Sequence, residues 1–203
     1  MIVVTADQRG SRSDSDRVEA ALALLSPLAW LRTPDRTAGD ELQAVTDDAA
    51  VAVDAALELL ADGHWSVGIG TGTVELPLPD QTRAGRGRAF EAAREAVEAA
   101  KGVAVPVQVR GADGAVAARA EAILSVLGLI VGRRSREGRE VTALLNTGMS
   151  ITAAAAELGV SRQAASQRAA AAGWSVEPAG RALAIELLGA ADAASSADPG
   201  VAR

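Results

Sequence analysis

The stretch Met1-Ile-Val-Val-Thr-Ala6 decides the fold class. It is short, apolar and rich in β-branched residues, which is typical of a buried strand. A turn is expected at residues 7–12. Ser13 or Asp14 is suited to cap a helix that runs to about Leu25. The chain is therefore predicted to open with a strand, a turn and a helix.

The residues that follow continue this alternation. We expect strands at 28–33 and 42–46 joined in a hairpin, a helix at 47–61, a strand at 64–72, a loop at 74–82, a helix at 87–100 and a strand at 103–109. The order β-α-β-β-α-β, with one more helix and strand behind it, matches the split βαβ or ferredoxin-like arrangement. The sequence thus predicts an α+β fold.

The composition excludes several classes of protein. The 203 residues contain no Cys and a single His, His64, which excludes disulfides, Cys-based zinc sites and multi-His metal sites. No apolar run approaches the roughly 18 residues that span a bilayer, and the first residues are not typical of a signal sequence. We therefore expect a cytoplasmic protein.

From Ala112 onward the sequence predicts helices only. We expect them at 115–131, 136–146, 151–158, 161–171 and 178–188. Residues 190–203 are small and polar without periodicity, and we expect them to form a disordered tail. The predicted domains are a sheet domain at 1–111, a connecting helix at 112–134 and a helical domain at 135–189, followed by the tail.

The sharpest local motif is Ser150-Ile-Thr-Ala-Ala-Ala-Ala-Glu-Leu-Gly159-Val-Ser-Arg-Gln-Ala-Ala-Ser-Gln-Arg168. Ser150 and Ser161 are suited to cap two successive helices, and Gly159 supplies the left-handed residue that ends the first one. Ala155 is small where the two helices would cross. The motif resembles the helix-turn-helix of bacterial regulators and of sigma-factor-like domains.

That resemblance implies a second helix whose polar side chains contact base edges and phosphates in a major groove of double-stranded DNA. The side chains concerned are Ser161, Arg162, Gln163, Ser166, Gln167 and Arg168. Two alternatives stay open: an Ala-rich helical hairpin with a Gly C-cap, and a degenerate helix-turn-helix used for protein contacts. The core is expected to be thin, with help from Leu144, Leu145, Trp174 and Leu183.

Charge is distributed unevenly along the chain. The net charge is −6 overall, but residues 133–181 carry 7 Arg and 4 Glu. An acidic chain with a locally basic segment favours two modules, of which one meets a polyanion. The cluster of arginines at 133, 134, 136 and 139 adds to the DNA interpretation, although alone it would suit a solvated linker.

Two carboxylates give the N-terminal half a pattern of its own. Asp7 follows the first strand, and Asp40 lies at the tip of the predicted hairpin. In a split βαβ sheet these strands are neighbours, so the carboxylates would converge and could hold Mg²⁺ through oxygen ligands. The turn Gly10-Ser11-Arg12 would then open a helix whose N–H groups hold a phosphate. The alternative is that both Asp residues simply serve turns.

The order of these elements resembles the palm domain of class III nucleotide cyclases and GGDEF diguanylate cyclases, and Ala38-Gly-Asp-Glu-Leu42 is close to the GGDEF signature. The resemblance implies metal binding by Asp7 and Asp40. It also implies nucleotide binding by Gly10, Ser11, Arg12, Gly39 and Arg94. Phe90 stands where cyclases have an Asn. The full layout, with a helix-turn-helix behind the palm, resembles the SatD family of small bacterial proteins over about residues 1–175.

Three classes of function follow from these patterns. The first is a DNA-binding transcriptional regulator whose non-catalytic palm domain senses a nucleotide or a metal, with Mg²⁺ as the possible cofactor. The second is a divalent-metal-dependent nucleotidyl cyclase or transferase, and the third is an interaction module with a degenerate site. We expect a homodimer, because one short recognition helix covers few base pairs.

The candidate dimer interface is the helix at 115–131, through the near-heptad set Ile123, Leu124, Leu127 and Ile130. The alternative is that this helix packs on the sheet of its own chain.

The glycines Gly68, Gly70 and Gly72 form no dinucleotide-binding fingerprint, because their spacing differs and no helix follows directly. We expect instead a strand that another backbone approaches closely.

Overall fold

The computed structural model describes residues 1–37 and 39–197. Within them the chain forms an α+β fold with one mixed sheet of five strands and eight α-helices. The strands are β1 (Ile2–Gln8), β2 (Arg32–Arg36), β3 (Glu41–Thr46), β4 (Trp65–Thr71) and β5 (Val107–Arg110). The helices are α1 (Val18–Leu25), α2 (Ala49–Asp62), α3 (Arg88–Ala100), α4 (Gly114–Gly132), α5 (Arg136–Asn146), α6 (Ile151–Glu157), α7 (Arg162–Ala171) and α8 (Glu177–Ala197).

The predicted first strand lies at the centre of the sheet. The strand order is β2-β3-β1-β4-β5; neighbours are antiparallel throughout, except that β5 runs parallel to β4. The register places Asp7 opposite Glu41 of β3 and Ser66 of β4. The end of β1 therefore meets the start of β3 and the start of β4 at one edge of the sheet.

One face of the sheet carries the main core. Helix α2 begins at Asp48, whose side chain accepts a hydrogen bond from the Ala50 N–H, and ends at Gly63 in the left-handed conformation, with φ 85°. With α4 and α8 it covers the alternate apolar side chains of the strands. The fully buried members of this core include Val4, Leu59, Val67, Ile69, Leu124 and Leu188.

The opposite face of the sheet is covered by α3, and here the glycines of β4 decide the packing. A Cβ on Gly70 would lie 2.2 Å from the backbone O of Ala89, and one on Gly68 would lie 2.2 Å from the Val97 N. The prediction that another backbone approaches this strand is therefore confirmed. Phe90 is buried in a small apolar cluster on the same face, with Val3 among its members.

Helices α5, α6 and α7 pack on one another around a second small core. Its buried members are mostly Ala, and half-buried Leu144 and Trp174 lie against them. Leu183, which the sequence suggested as a further member, is 43% exposed. The side chain of Trp174 is oriented by a hydrogen bond from its indole N–H to Asn146 Oδ1 (3.1 Å).

The last helix corrects the predicted domain boundaries. Helix α8 packs on α4 and α2, so it completes the main core and does not belong to the three-helix unit. It also continues through residues 190–197, where we expected a disordered tail. There, the buried hydroxyl of Ser195 contacts Thr71 Oγ1 (3.2 Å) and accepts a hydrogen bond from the Ala112 N–H. Residues 198–203 lie outside the described part of the chain.

Helix α4 packs on the main core with one face and exposes the other. In the described residues it is the one helix long and apolar enough to cross a membrane, contrary to the expectation from the sequence. Its inward side chains Leu124 and Leu127 are buried in the main core, which is consistent with a soluble protein. These two residues therefore cannot serve a dimer interface. For Leu124 and Leu127, the alternative that α4 packs within its own chain is confirmed.

Several predicted boundaries shift by a few residues. Helix α1 begins at Val18 and not at Ser13 or Asp14, and β2 lies at Arg32–Arg36, several residues later than expected. Strand β5 begins at Val107, where the prediction was residue 103. The reason for the late start of α1 lies in the contacts of the loop that precedes it, described below.

Candidate functional site

Asp7 and Asp40 line one open cavity of about 580 Å³ at the edge where β1, β3 and β4 meet. The Gln8 N–H donates to the backbone carbonyl of Asp40 (3.0 Å), which fixes the hairpin tip beside the end of β1. The two residues therefore border the same cavity, and the expectation that their carboxylates hold a cation together stays a prediction. The other residues lining the cavity are Gln8, Arg9, Gly10, Ser11, Arg12, Ser13, Ser66 and Lys101.

The loop that forms one wall of the cavity is held by Gln8. This side chain is 2% exposed, donates to the Ser15 carbonyl (2.7 Å) and accepts from the Arg17 N–H (2.9 Å). Because these bonds hold residues 13–17 in a non-helical path, α1 starts only at Val18. Gly10, Ser11 and Arg12 therefore lie in a turn, and the predicted phosphate site at a helix N-terminus is wrong.

A local ion pair holds the same loop from outside. The Asp14 carboxylate accepts a hydrogen bond from Arg17 Nε (2.7 Å) and a second from the Ser15 N–H. These two bonds, the arginine's first, lower the pKa of Asp14 to about 2. The single histidine, His64, has its Nδ1 3.6 Å from the same carboxylate.

Lys101 is the cavity residue that the sequence did not reveal. It follows the end of α3, and its Nζ lies 2.9 Å from Asp7 Oδ2 and 2.7 Å from Glu98 Oε1. Partial burial opposes its charged form, but the hydrogen bonds to Glu98 and Asp7 outweigh that effect and raise the pKa of Lys101 above its usual value. The Asp7 carboxylate therefore already has a fixed cationic partner.

The cavity is thus a mixed-charge site. Arg9, Arg12 and Lys101 line it together with the carboxylates of Asp7 and Asp40. In the described residues no group of three or more His, Asp or Glu side chains is placed to hold a metal ion. A divalent cation would have to use the two carboxylates and complete its shell with water or with the ligand's own oxygens.

Two residues implied by the cyclase resemblance lie elsewhere. Arg94 is exposed on α3 and does not line the cavity, so the structure does not bring it together with the other residues expected to bind a nucleotide. Gly39 occupies the hairpin turn with φ 62°, next to Asp40 but outside the lining. Phe90, in the place of the cyclase Asn, is buried in the small apolar cluster under α3.

The second candidate site is the outer face of α7. Ser161 caps this helix by accepting a hydrogen bond from the Ala164 N–H (3.1 Å), and Ala165 and Ala169 face the small core. The remaining positions point outward. Ser161, Arg162, Gln163, Ser166 and Gln167 are exposed, and Arg168 is half-buried.

The turn before α7 has the geometry that the motif predicted. Ser150 caps α6 through the Ala153 N–H (3.2 Å), and Gly159 adopts φ 63° after its last turn. The Val160 N–H then donates to the Ala155 carbonyl (3.0 Å), which reverses the chain into α7. Ala155 is buried at the contact between the two helices.

A buried ion-pair network joins this three-helix unit to the sheet domain. Arg134 pairs with Glu177, which is also bound by Arg181 Nε (2.8 Å), and Arg181 reaches Asp54 on α2. Arg134 Nε also donates to the Ala172 carbonyl at the end of α7 (2.9 Å). Burial would raise the pKa of Glu177, but its hydrogen bonds to the two arginines lower it below the usual value.

Comparison of the chain with protein-family models, with curated proteins and with solved structures gives no match.

Proposed function

We propose that this protein is a DNA-binding transcriptional regulator in which α5, α6 and α7 form a helix-turn-helix unit. The observation that carries the proposal is the outer face of α7. The outward positions Arg162, Gln163, Ser166 and Gln167 in its first two turns are polar and exposed, whereas the inward positions Ala165 and Ala169 are buried. A helix that presents its N-terminal polar side chains in this way fits the major groove of duplex DNA.

The chemistry of this face supports base contacts together with backbone contacts. A guanidinium such as that of Arg162 can bind guanine O6 and N7 together, and the amide of Gln163 or Gln167 can do the same with adenine N6 and N7. The hydroxyls of Ser161 and Ser166 suit phosphate oxygens. Arg136, whose side chain is 87% exposed at the start of α5, adds positive charge to the same unit.

For the N-terminal domain we propose a palm of the split βαβ type that senses a small anionic ligand, a nucleotide with or without Mg²⁺, and does not turn it over. The strand order β2-β3-β1-β4, with antiparallel neighbours, supports this fold. Asp7 and Asp40 supply oxygen ligands on the cavity, and Arg12 and Lys101 supply charge for phosphates. The buried Phe90 supports a non-catalytic role, because it offers no polar group to a ribose.

The same proposal includes a homodimer in the cytoplasm. Two copies would place two α7 helices in successive major grooves about 34 Å apart. The face of α4 that points away from the core is a stripe of exposed apolar residues, Ala115, Ala118, Ala122 and Val126. This stripe is the candidate contact between the copies.

The test is selection of genomic DNA fragments by the purified full-length protein, followed by fluorescence anisotropy with the enriched duplexes at several salt concentrations. We expect specific binding with a steep salt dependence, because phosphate contacts release counterions. Arg162→Ala is expected to weaken binding by about 1–3 kcal/mol and to relax base preference at one position.

The matched control is Arg94→Ala, which removes an exposed guanidinium from α3, outside both α7 and the exposed stripe of α4. We expect it to leave affinity and base preference unchanged. No enrichment of any duplex, or an equal loss in both variants, would reject the proposal and favour the interaction-module alternative.

The enzyme alternative rests on the shared cavity of Asp7 and Asp40 and has a separate test. Incubation with ATP or GTP and Mg²⁺ or Mn²⁺, followed by chromatography, is expected to yield no cyclic product. A cyclic nucleotide that disappears in Asp7→Asn would replace the sensing role with a catalytic one.

A further inference from the structure

An apolar groove with two arginines lies next to the cavity of Asp7 and Asp40, because Arg9 lines both. It has a volume of about 320 Å³ and runs between α4, the end of α2 and the segment that precedes β5. Its lining includes Leu60, Val105, Pro106 and Leu129. Gly128 and Gly132 of α4 also line it, so no side chain of α4 fills the space at these two positions.

The charge of the groove is of one sign. Arg9 and Arg133 line it from opposite elements, the loop after β1 and the residue that follows α4. Both are exposed, and neither guanidinium has a carboxylate partner among the described residues. In this respect they differ from Arg134 next along the chain, which is paired with Glu177. No Asp or Glu lines the groove.

We propose that this groove binds a small apolar carboxylate, with its ring or chain on Val105, Pro106 and Leu129 and its carboxylate between Arg9 and Arg133. The volume lies at the lower end of the range of small-molecule sites, which suits a ligand of one or two rings. Guanidinium groups bind carboxylates with charge-assisted, often bidentate hydrogen bonds. The groove differs from the cavity of Asp7 and Asp40, whose lining is polar and charged, and the two share one lining residue, Arg9.

The groove is placed to influence the three-helix unit. Ile130, on the same turn of α4 as Leu129, packs against Gly173 just after α7: a Cβ on Gly173 would lie 2.7 Å from Ile130 Cγ2. Arg134 donates to the Ala172 carbonyl. A carboxylate that draws Arg133 toward Arg9 would therefore act on the segment that holds the end of α7. The binding step stands on the groove alone and does not depend on whether α7 binds DNA.

The experiment is a titration of the full-length protein with 1-naphthoate, followed by the NMR signals of Leu and Val methyl groups. We expect shifts at Leu60, Val105 and Leu129 and none at Val126, which lies on the outer stripe of α4. The uncharged analogue 1-naphthalenemethanol is expected to bind about tenfold more weakly, because it lacks the charge-assisted bonds. Inorganic phosphate alone is expected to leave these methyl signals unshifted.

Two variants locate the carboxylate. Arg133→Met is expected to weaken naphthoate binding about tenfold and to remove the preference over the alcohol. Arg12→Met, which lines only the Asp7 cavity, is expected to change neither. Equal binding of acid and alcohol, shifts at Val126 alone, or a larger effect of Arg12→Met than of Arg133→Met would each overturn the proposal.

Discussion

Lys101 Nζ lies 2.9 Å from Asp7 Oδ2, so a residue just after α3 supplies the counterion of a carboxylate at the end of β1. The Lys101 ammonium offsets the negative charge of Asp7. It thereby reduces the repulsion that Asp7 and Asp40 would otherwise exert on each other. The pairing also means that a divalent cation reaching Asp7 must compete with an ammonium group. This competition can be measured.

Replacing Lys101 with Met is expected to increase the affinity for Mn²⁺ about fivefold, because the competing charge next to Asp7 is removed. Electron paramagnetic resonance of free Mn²⁺ gives the affinity directly. Arg94→Met on the same helix is the control and is expected to have no effect, because Arg94 lies outside the cavity. If the double variant Lys101→Met with Asp7→Asn binds Mn²⁺ as tightly as Lys101→Met, Asp7 is no metal ligand.

Gly70→Ala is expected to destabilise the fold by at least about 1–3 kcal/mol. The added Cβ would meet the Ala89 O and the Ala93 N at 2.2 Å, and these are backbone atoms that cannot rotate away. Urea unfolding followed by circular dichroism measures the loss. Gly102→Ala is the control, since nothing lies within 4 Å of its Cβ; a similar loss in both variants would contradict the close approach of α3.

Glu177→Gln is expected to cost about 3 kcal/mol of unfolding free energy at neutral pH, because it leaves Arg134 buried without its anion. Glu177 is 3% exposed, and the side chain of Arg134 is 8% exposed. Glu140→Gln removes an exposed pair with Arg136 and is expected to cost less than about 1 kcal/mol. Equal losses of unfolding free energy in the two variants would show that the buried ion pair stabilises the fold no more than the exposed one.

The same network predicts a pH dependence. The pKa of Glu177 is lowered in the folded state relative to 4.5, so its contribution to stability is complete above about pH 4.5 and is lost as the pH falls below that value. Chemical unfolding at a series of pH values is expected to show a steeper acid loss in the native sequence than in Glu177→Gln. If the unfolding free energies of the two proteins fall in parallel with pH, a group other than Glu177 causes the acid loss.

Val126→Glu is expected to convert a dimer into a monomer, because it places a charge in the middle of the exposed stripe of α4. Light scattering at tens of micromolar should give about twice the chain mass of 20.5 kDa for the native sequence and the single mass for the variant. Val176→Glu, at another exposed apolar position, is expected to leave the mass unchanged. A native monomer at this concentration would rule out the contact.

The sequence predicted the order of strands and helices, because this order depends on local periodicity and on one hairpin. The turn at Gly159 and the caps at Ser150 and Ser161 were equally predictable, since each cap lies within a few residues of its partner. These features are local, and local features leave a pattern in the sequence.

The errors came from side-chain contacts that local periodicity and capping patterns do not reveal. Ser13 and Asp14 are good helix caps, but Gln8 binds Ser15 and Arg17 and delays the helix. Residues 190–197 have the composition of a tail, but Ser195 reaches Thr71 and Ala112, and Ala191 is buried. Lys101 has no recognisable motif, because its partner Asp7 is brought close only by the packing of α3 on the sheet.

Arg134 lies in the short link between α4 and α5, Glu177 is the first residue of α8, and the two are paired with each other. The three-helix unit is therefore inserted between two helices of one domain, α4 and α8. The ion pair holds together the two chain segments that connect the unit to that domain. Excision of the unit and its replacement by a short glycine linker should leave the sheet, α4 and α8 folded. Such a unit can be exchanged between proteins in evolution without changes to the domain that carries it, provided that Arg134 and Glu177 are kept.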